Sequence, residues 1–241
     1  MTTSLSREDL IFMARVAEQA ERYDEMVEYA SGFVRLNPDL TVDERNVLSV
    51  AYKNVVGSRR AAWRVLGSLE EKEKKKNSET NLAIIKEYKK VVEAEMVKLN
   101  NEILKLVDDA LLPATKTEEA KIFFLKMKGD YLRYMCEFLV NEEKQKTGAK
   151  AEDAYSEAQK LAESKMSTTN PVRLGLTLNF SVFYYEIMQQ PEKAIELAKK
   201  SYDDALKDLE SVPEDEYKDC TMILQLLKEN LSLWSSESEA K

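Results

Sequence analysis

The chain has no histidine, and only two cysteines, six glycines and five prolines in 241 residues. Each shortage excludes something. Without histidine there is no imidazole base, no imidazole metal ligand and no Ser-His or Cys-His nucleophile pair. Cys136 and Cys220 lie far apart in apolar-periodic segments. Neither a disulfide framework nor a metal site is expected, and a reducing compartment is the natural setting. There is no phosphate-cradling glycine loop, Walker sequence or zinc spacing. No apolar run approaches a membrane span, and the start, Met1-Thr-Thr-Ser-Leu-Ser-Arg-Glu-Asp, has no apolar signal core. The net charge of −8 and pI near 5.0 argue against nucleic acid or an anionic membrane as the main partner. The expectation is a protein that is not an enzyme, with no catalytic residue, metal or cofactor.

What is present is helix. Hydrophobic residues make up 44% of the chain and charged residues 33%, enough apolar side chain for one large domain or two small ones. The prolines punctuate the pattern. Pro38 sits in a turn, Pro113 ends a long segment, and Pro171 and Pro191 stand at first helical positions. Ser6-Arg-Glu-Asp9, Thr41-Val-Asp-Glu44, Thr117-Glu-Glu and Ser211-Val-Pro-Glu214 read as helix starts, the Thr41 and Ser211 runs as capping boxes. The spacing predicts nine helices over 6–20, 22–36, 41–70, 80–111, 117–140, 151–166, 171–188, 191–209 and 213–234. The longer loops fall at 71–81, with a solvated lysine run, and at 141–150; the end from Ser235 reads as disordered. Gly57, Gly129 and Gly175 fall inside helical patterns, where glycine often admits another helix closely.

Two basic stripes carry the chemistry. Lys53 and Arg60 are seven residues apart, about two helical turns, so both project from one face. No carboxylate stands at i+4 from either, and Arg64 extends the row. Lys126 and Arg133 repeat the spacing, with Asp130 three residues before Arg133 and able to orient its guanidinium. Tyr134 adds a hydroxyl donor. Either stripe alone reads as a solvated, salt-bridged helix surface; together they suggest a shared anion site. Farther on, Asn179, Val182 and Glu186 share one helical face, as do Leu226, Asn230 and Trp234, with Met222 and Ile223 a turn earlier. An amide in an apolar stripe can hydrogen-bond an extended peptide. Ordinary core packing, with each Asn paired internally, is the reading the residues alone favour. The glycosylation triplets at Asn179 and Asn230 are spurious in a helical context.

At these residues the chain resembles the 14-3-3 family. The matching text includes Ala17-Glu-Gln-Ala-Glu-Arg-Tyr-Asp24, Leu48-Ser-Val-Ala-Tyr-Lys-Asn-Val-Val-Gly57 and Leu125-Lys-Met-Lys-Gly-Asp-Tyr131. It continues in Pro171-Val-Arg-Leu-Gly-Leu-Thr-Leu-Asn-Phe-Ser-Val-Phe-Tyr-Tyr-Glu186 and Leu226-Leu-Lys-Glu-Asn-Leu-Ser-Leu-Trp234. The resemblance implies an all-α fold of nine antiparallel helices with a concave amphipathic groove, paired through its N-terminal helices into a W-shaped dimeric clamp. It implies one domain over 1–234, with 1–112 giving dimerisation and the basic groove wall, 113–234 the rest of the groove, and 235–241 a short flexible tail.

The function implied is that of an adaptor binding phosphoserine or phosphothreonine motifs, so regulating the activity, localisation or assembly of client proteins in signalling. Carried onto this chain, Lys53, Arg60, Arg133 and Tyr134 bind the phosphate, with Lys126 and Asp130 supporting. Asn179 and Asn230 hold the peptide main chain; Leu178, Val182, Met222, Ile223 and Leu226 form the apolar wall, with Glu186 and Trp234 alongside. Val16, Ala20, Ala62, Leu66 and Tyr88 match dimer-interface positions, and Arg22 has a candidate partner in Glu95. Two departures stand out: Val91 replaces a basic partner for Glu25, and Ala61-Ala62 replaces a serine pair found in many members. A dimer that phosphorylation there cannot loosen is therefore expected, as a homodimer or with sister isoforms, in the cytoplasm and also the nucleus. The alternative is a tetratricopeptide-like scaffold for unmodified peptides, suggested by Pro191-Glu-Lys-Ala-Ile-Glu-Leu-Ala. Against it, no period of about 34 residues recurs.

Overall fold

The computed structural model describes residues 5–239. Among these residues it has nine helices and no strand. They are α1 (Arg7–Gln19), α2 (Tyr23–Leu36), α3 (Val42–Lys75), α4 (Glu79–Leu106), α5 (Glu118–Cys136), α6 (Asn141–Lys165), α7 (Pro171–Val182), α8 (Pro191–Lys207) and α9 (Glu214–Glu239). Wider π turns continue α4 over Val107–Leu111 and α7 over Phe183–Ile187. The first precedes Pro113, which has no N–H to offer the carbonyl four residues back, so the ladder loosens there.

Local chemistry sets most helix starts. Ser6 Oγ accepts the Asp9 N–H at 3.1 Å while the Asp9 carboxylate accepts the Ser6 N–H at 3.0 Å. Thr41 and Glu44 form the same reciprocal box at 3.3 and 2.9 Å. Thr117 caps α5 through the Ala120 N–H at 3.2 Å. Asn170 caps α7 through two backbone N–H groups, with Pro171 at the first helical position.

The chain divides into two compact units, meeting at Lys116 and Thr117. In the N-terminal unit, α1 to α4 enclose Met26, Phe33, Leu48, Tyr52, Met96 and Ile103, all fully buried. Two polar contacts brace it: Ser31 Oγ meets Tyr52 Oη at 2.8 Å, and Arg7 holds Glu44 at 2.7 Å. In the C-terminal unit, α5 and α6 lie against each other so closely that a Cβ on Gly129 would stand 2.6 Å from the Tyr155 ring. Tyr155 in turn stacks on Phe180 at 5.1 Å, and Phe180 on Tyr184 at 4.5 Å, giving this unit an aromatic centre.

Several boundaries differ from the spacing prediction. The expected loop at 141–150 is helix, the first turns of α6, because Glu142, Lys144, Gln145 and Ala149 are good helix formers and Glu142 pairs with Lys146 at 2.6 Å. Gly148 interrupts that propensity but is buried against its neighbours. The expected loop at 71–81 shrinks to Lys76–Ser78, since the lysines of 72–75 favour a helix C-terminus. The chain leaves α3 through Asn77 at φ 55°. α5 ends at Cys136, earlier than expected. The Ser211 box does not form: its hydroxyl donates to the Asp208 carbonyl at 2.7 Å, ending a 3-10 turn.

The flexible tail expected over 235–241 is helical through Glu239; Ala240 and Lys241 lie outside the described residues. Tyr185 holds those last turns by stacking on Trp234 and donating to Glu237. Of Gly57, Gly129 and Gly175, Gly129 alone meets another helix at clashing range. Open space surrounds Gly57, and Gly175 faces side chains at ordinary contact distance.

Candidate functional site

On α5 the stripe Lys126, Asp130, Arg133 is an i, i+4, i+7 row, so the helix itself stacks the three side chains. Asp130, only 7% exposed, is the hub. Its carboxylate accepts from Lys126 Nζ at 2.8 Å, Tyr155 Oη at 2.6 Å and Asn179 Nδ2 at 2.8 Å. Arg133, also 7% exposed, makes a looser ion pair with Asp130 at 3.5 Å. Its tighter contact is Nε–H to Tyr155 Oη at 3.1 Å, and its guanidinium carbon lies 4.8 Å over the Tyr134 ring.

The electrostatics follow from the burial. Desolvation pushes the Asp130 carboxyl upward, but the charges of Lys126 and Arg133 and the hydrogen bonds it accepts outweigh that and hold its pKa below the ordinary carboxylate value. Burial, reinforced by Asp130, raises the Tyr155 phenol well above its usual value, so at neutral pH it keeps the proton it donates. For Arg133, desolvation works against the charge, while Tyr155 and Asp130 more than restore it. The cluster thus holds two fixed cations around one buried anion and has positive charge to spare.

α7 and α9 supply a surface beside that cluster. A Cβ on Gly175 would lie 3.8 Å from Lys126 Cε and 4.0 Å from Ile223 Cδ1, so the stripe of α5, the face of α7 and the face of α9 adjoin. Leu178, Asn179 and Val182 are half-buried on α7, and Glu186 is exposed just beyond. On α9, Met222 and Leu226 are exposed, while Ile223 and Asn230 are half-buried. Trp234 is 4% exposed and stacked on Tyr185 at 4.6 Å, so it backs this wall where the sequence reading set it alongside the others.

The N-terminal unit carries the other stripe. Lys53 is exposed and Arg60 half-buried on α3; Gly57 lies between them, and a Cβ there would meet nothing within 4 Å. Arg59 turns away about 100° per residue and performs structural work. It donates to Glu95 at 3.0 Å and to Asp24 at 2.7 Å. Glu95, named as a partner for Arg22, is thus held by Arg59 within the chain, and Arg22 pairs with Glu25. Of the dimer candidates, Val16, Ala20, Ala62 and Tyr88 are exposed, but Leu66, at 8%, packs inside the unit. Phe12, Val65, Leu69 and Ile84 are exposed apolar residues that the sequence reading did not select, and Val91, noted there only as a departure, is exposed too. Ile84, Tyr88 and Val91 form an i, i+4, i+7 row that hydropathy spacing could have shown.

The residue that sequence reasoning missed altogether is Tyr155. Its partners stand 22 and 25 residues away, so no spacing rule reaches it.

Among the described residues no group of His, Cys, Asp and Glu is placed to hold a metal ion, and no helix is long and apolar enough to cross a membrane. An all-α fold with pre-set cations and an amide beside an apolar wall defines a helical peptide-binding module. The family model for 14-3-3 protein matches residues 13–235. The chain is 51% identical to 14-3-3 protein 3 of Entamoeba histolytica, over 97% of each chain. It is 49% identical to 14-3-3 protein 9 of Solanum lycopersicum, over 98% of this chain and 91% of that one. It is also 49% identical to the 14-3-3 protein homolog of Candida albicans, over 98% of this chain and 89% of the relative. The chain belongs to the 14-3-3 family.

Proposed function

We propose that the chain is a phosphorylation-dependent adaptor, non-catalytic and dimeric, that binds phosphoserine or phosphothreonine motifs of client proteins. Family membership supports this reading. The observation that carries it is the state of Arg133: a buried guanidinium held in place by Tyr155 and Asp130 while Lys126 leaves the cluster net positive. A phosphoryl group brings about −1.5 to −2 charge and three acceptor oxygens. Charge-assisted hydrogen bonds contribute about 1.5–3 kcal/mol each, so losing several makes an unmodified serine a poor ligand.

In this reading Lys53 and Arg60 join Arg133 and Tyr134 on the phosphate. Asn179 and Asn230 take the peptide main chain, and Leu178, Val182, Met222, Ile223 and Leu226 take its side chains. A dimer gives two such sites, and a client with two motifs gains avidity through effective concentration. The exposed apolar rows of α1, α3 and α4 are the surface for that pairing, against a second copy or a sister isoform, with Ala61-Ala62 leaving no hydroxyl to phosphorylate. No observation favours the tetratricopeptide-like alternative over this reading.

Titration with a labelled Arg-Ser-x-phosphoSer-x-Pro peptide and its unphosphorylated twin tests the first claim. The phosphopeptide binds far more tightly, and equal affinity for the two sinks the adaptor reading. Sedimentation at micromolar concentration tests the second, with a dimer expected and a mostly monomeric boundary refuting it.

A further inference from the structure

Tyr155 lies one helix behind the recognition surface, fully buried, yet its hydroxyl joins the two groups on which recognition rests. It accepts the Arg133 Nε–H at 3.1 Å and donates to Asp130 Oδ1 at 2.6 Å. Three features of the fold fix where that oxygen sits. Gly129 has no side chain, and any Cβ there would drive into the ring at 2.6 Å. Phe180 stacks on the ring at 5.1 Å, and Phe183 tilts against it at 5.7 Å. With the ring so confined, the oxygen has one place to be.

The direction of the hydrogen bonds is also forced. An ionised carboxylate only accepts, so Tyr155 must give its proton to Asp130 and has only lone pairs left for Arg133. Asp130 equally requires the NH2 of Asn179 at 2.8 Å, which leaves Asn179 Oδ1 as the free end of that amide. An acceptor in that position suits a peptide N–H. Because Asp130 and Arg133 lie 3.5 Å apart at their closest, the phenol is the tighter link between carboxylate and guanidinium.

We propose that Tyr155 is a positioning residue for phosphopeptide recognition: seated over Gly129, its hydroxyl ties Arg133 to the carboxylate that also orients Lys126 and Asn179, so the phosphate-facing guanidinium and the main-chain-facing amide are set as one unit before a peptide arrives. The inference rests on the adaptor reading and adds to it a residue that touches no ligand. Its consequence is preorganisation: a clamp already in its bound orientation loses less side-chain freedom on binding.

Tyr155→Phe keeps the ring and removes only the link. In a ¹⁵N-resolved spectrum of the full-length protein, the Arg133 Nε–H resonance, identified by its disappearance in Arg133→Lys, exchanges slowly with solvent in wild type. In Tyr155→Phe it shifts and exchanges faster, and the phosphopeptide Kd weakens about tenfold, the effect of one hydrogen bond to a charged group. An unmoved Nε–H resonance in Tyr155→Phe overturns the proposal, as does a Kd within about twofold of wild type. If the variant fails to fold, wild type decides alone, since rapid Nε–H exchange like that of an exposed arginine overturns it. Failure of the adaptor reading is separate and is read in wild type only, as equal affinity for the phosphorylated and unphosphorylated peptides. A Tyr155→Phe that binds normally while wild type still discriminates removes Tyr155 and leaves the adaptor standing.

Discussion

The stripes on α3 and α5 have the same sequence spacing and opposite interiors. Each sets a lysine and an arginine seven residues apart, and each has one residue at i+4 from the lysine and i−3 from the arginine. On α3 that residue is Gly57, with nothing around it; on α5 it is Asp130, buried and accepting from Lys126, Tyr155 and Asn179. The α3 lysine is exposed, whereas the α5 arginine is buried. One stripe thus sets its lysine and arginine to either side of a glycine with open space beside it. The other offers cations fixed by an internal counter-charge.

The sharpest way to break the comparison is Asp130→Ala. It leaves Arg133 and Lys126 without their buried anion and Tyr155 without its acceptor. Removing one partner of a buried ion pair costs about 3–5 kcal/mol, so thermal unfolding falls by many degrees. Calorimetry showing a small change would mean that Asp130 is no hub.

Next in size is the pair Arg60→Ala and Arg133→Ala. Both lose phosphopeptide affinity by about a hundredfold or more, the equivalent of at least two charge-assisted hydrogen bonds. They part in stability. Arg133→Ala removes a buried cation beside Asp130 and the donor to the Tyr155 phenol, and lowers the melting temperature clearly, while half-buried Arg60 gives a smaller drop. Equal drops would erase the distinction between the stripes.

That distinction was only partly legible in the sequence. The caps at Ser6, Thr41 and Thr117 could be read because donor and acceptor lie within three residues. The row Lys126, Asp130, Arg133 could be read for the same reason, being one helix deep. The first turns of α6 could not, because they are polar and lack the apolar period that betrays a helix. Gly57 and Gly129 look alike as text, and only the neighbouring helix shows that one leaves space and the other receives a ring. Tyr155 sits in Ala154-Tyr-Ser156 with nothing nearby to mark it. Contacts across helices belong to packing, and a single sequence does not print them.

Acid offers a smaller and more selective test of the α5 stripe. The folded-state pKa of Asp130 lies below its unfolded value of about 3.9, so its ionisation contributes stability that is fully present above that value. The contribution is lost as pH falls through the folded pKa. Asp130→Asn cannot titrate there, so the gap in urea midpoint between wild type and this variant is widest near neutrality and narrows between about pH 4 and the folded pKa. A gap constant down to pH 3 would show that Asp130 contributes through hydrogen bonding alone.

The smallest effect belongs to Gly57→Ala, and its sign is the informative part. The new Cβ meets nothing within 4 Å, so the substitution brings no clash. Alanine is the better helix former by about 0.5–1 kcal/mol, and the melting temperature rises by a few degrees. Gly129→Ala, the same change on α5, pushes a methyl to within 2.6 Å of the Tyr155 ring. It destabilises by about 1–3 kcal/mol, as overpacked cores do. If Gly57 is kept bare so that a ligand can approach the backbone between Lys53 and Arg60, the stabilised Gly57→Ala protein binds phosphopeptide more weakly than wild type. Unchanged affinity in a protein that melts higher would show that the open space on α3 is unused, and that the α5 stripe alone sets the geometry of recognition.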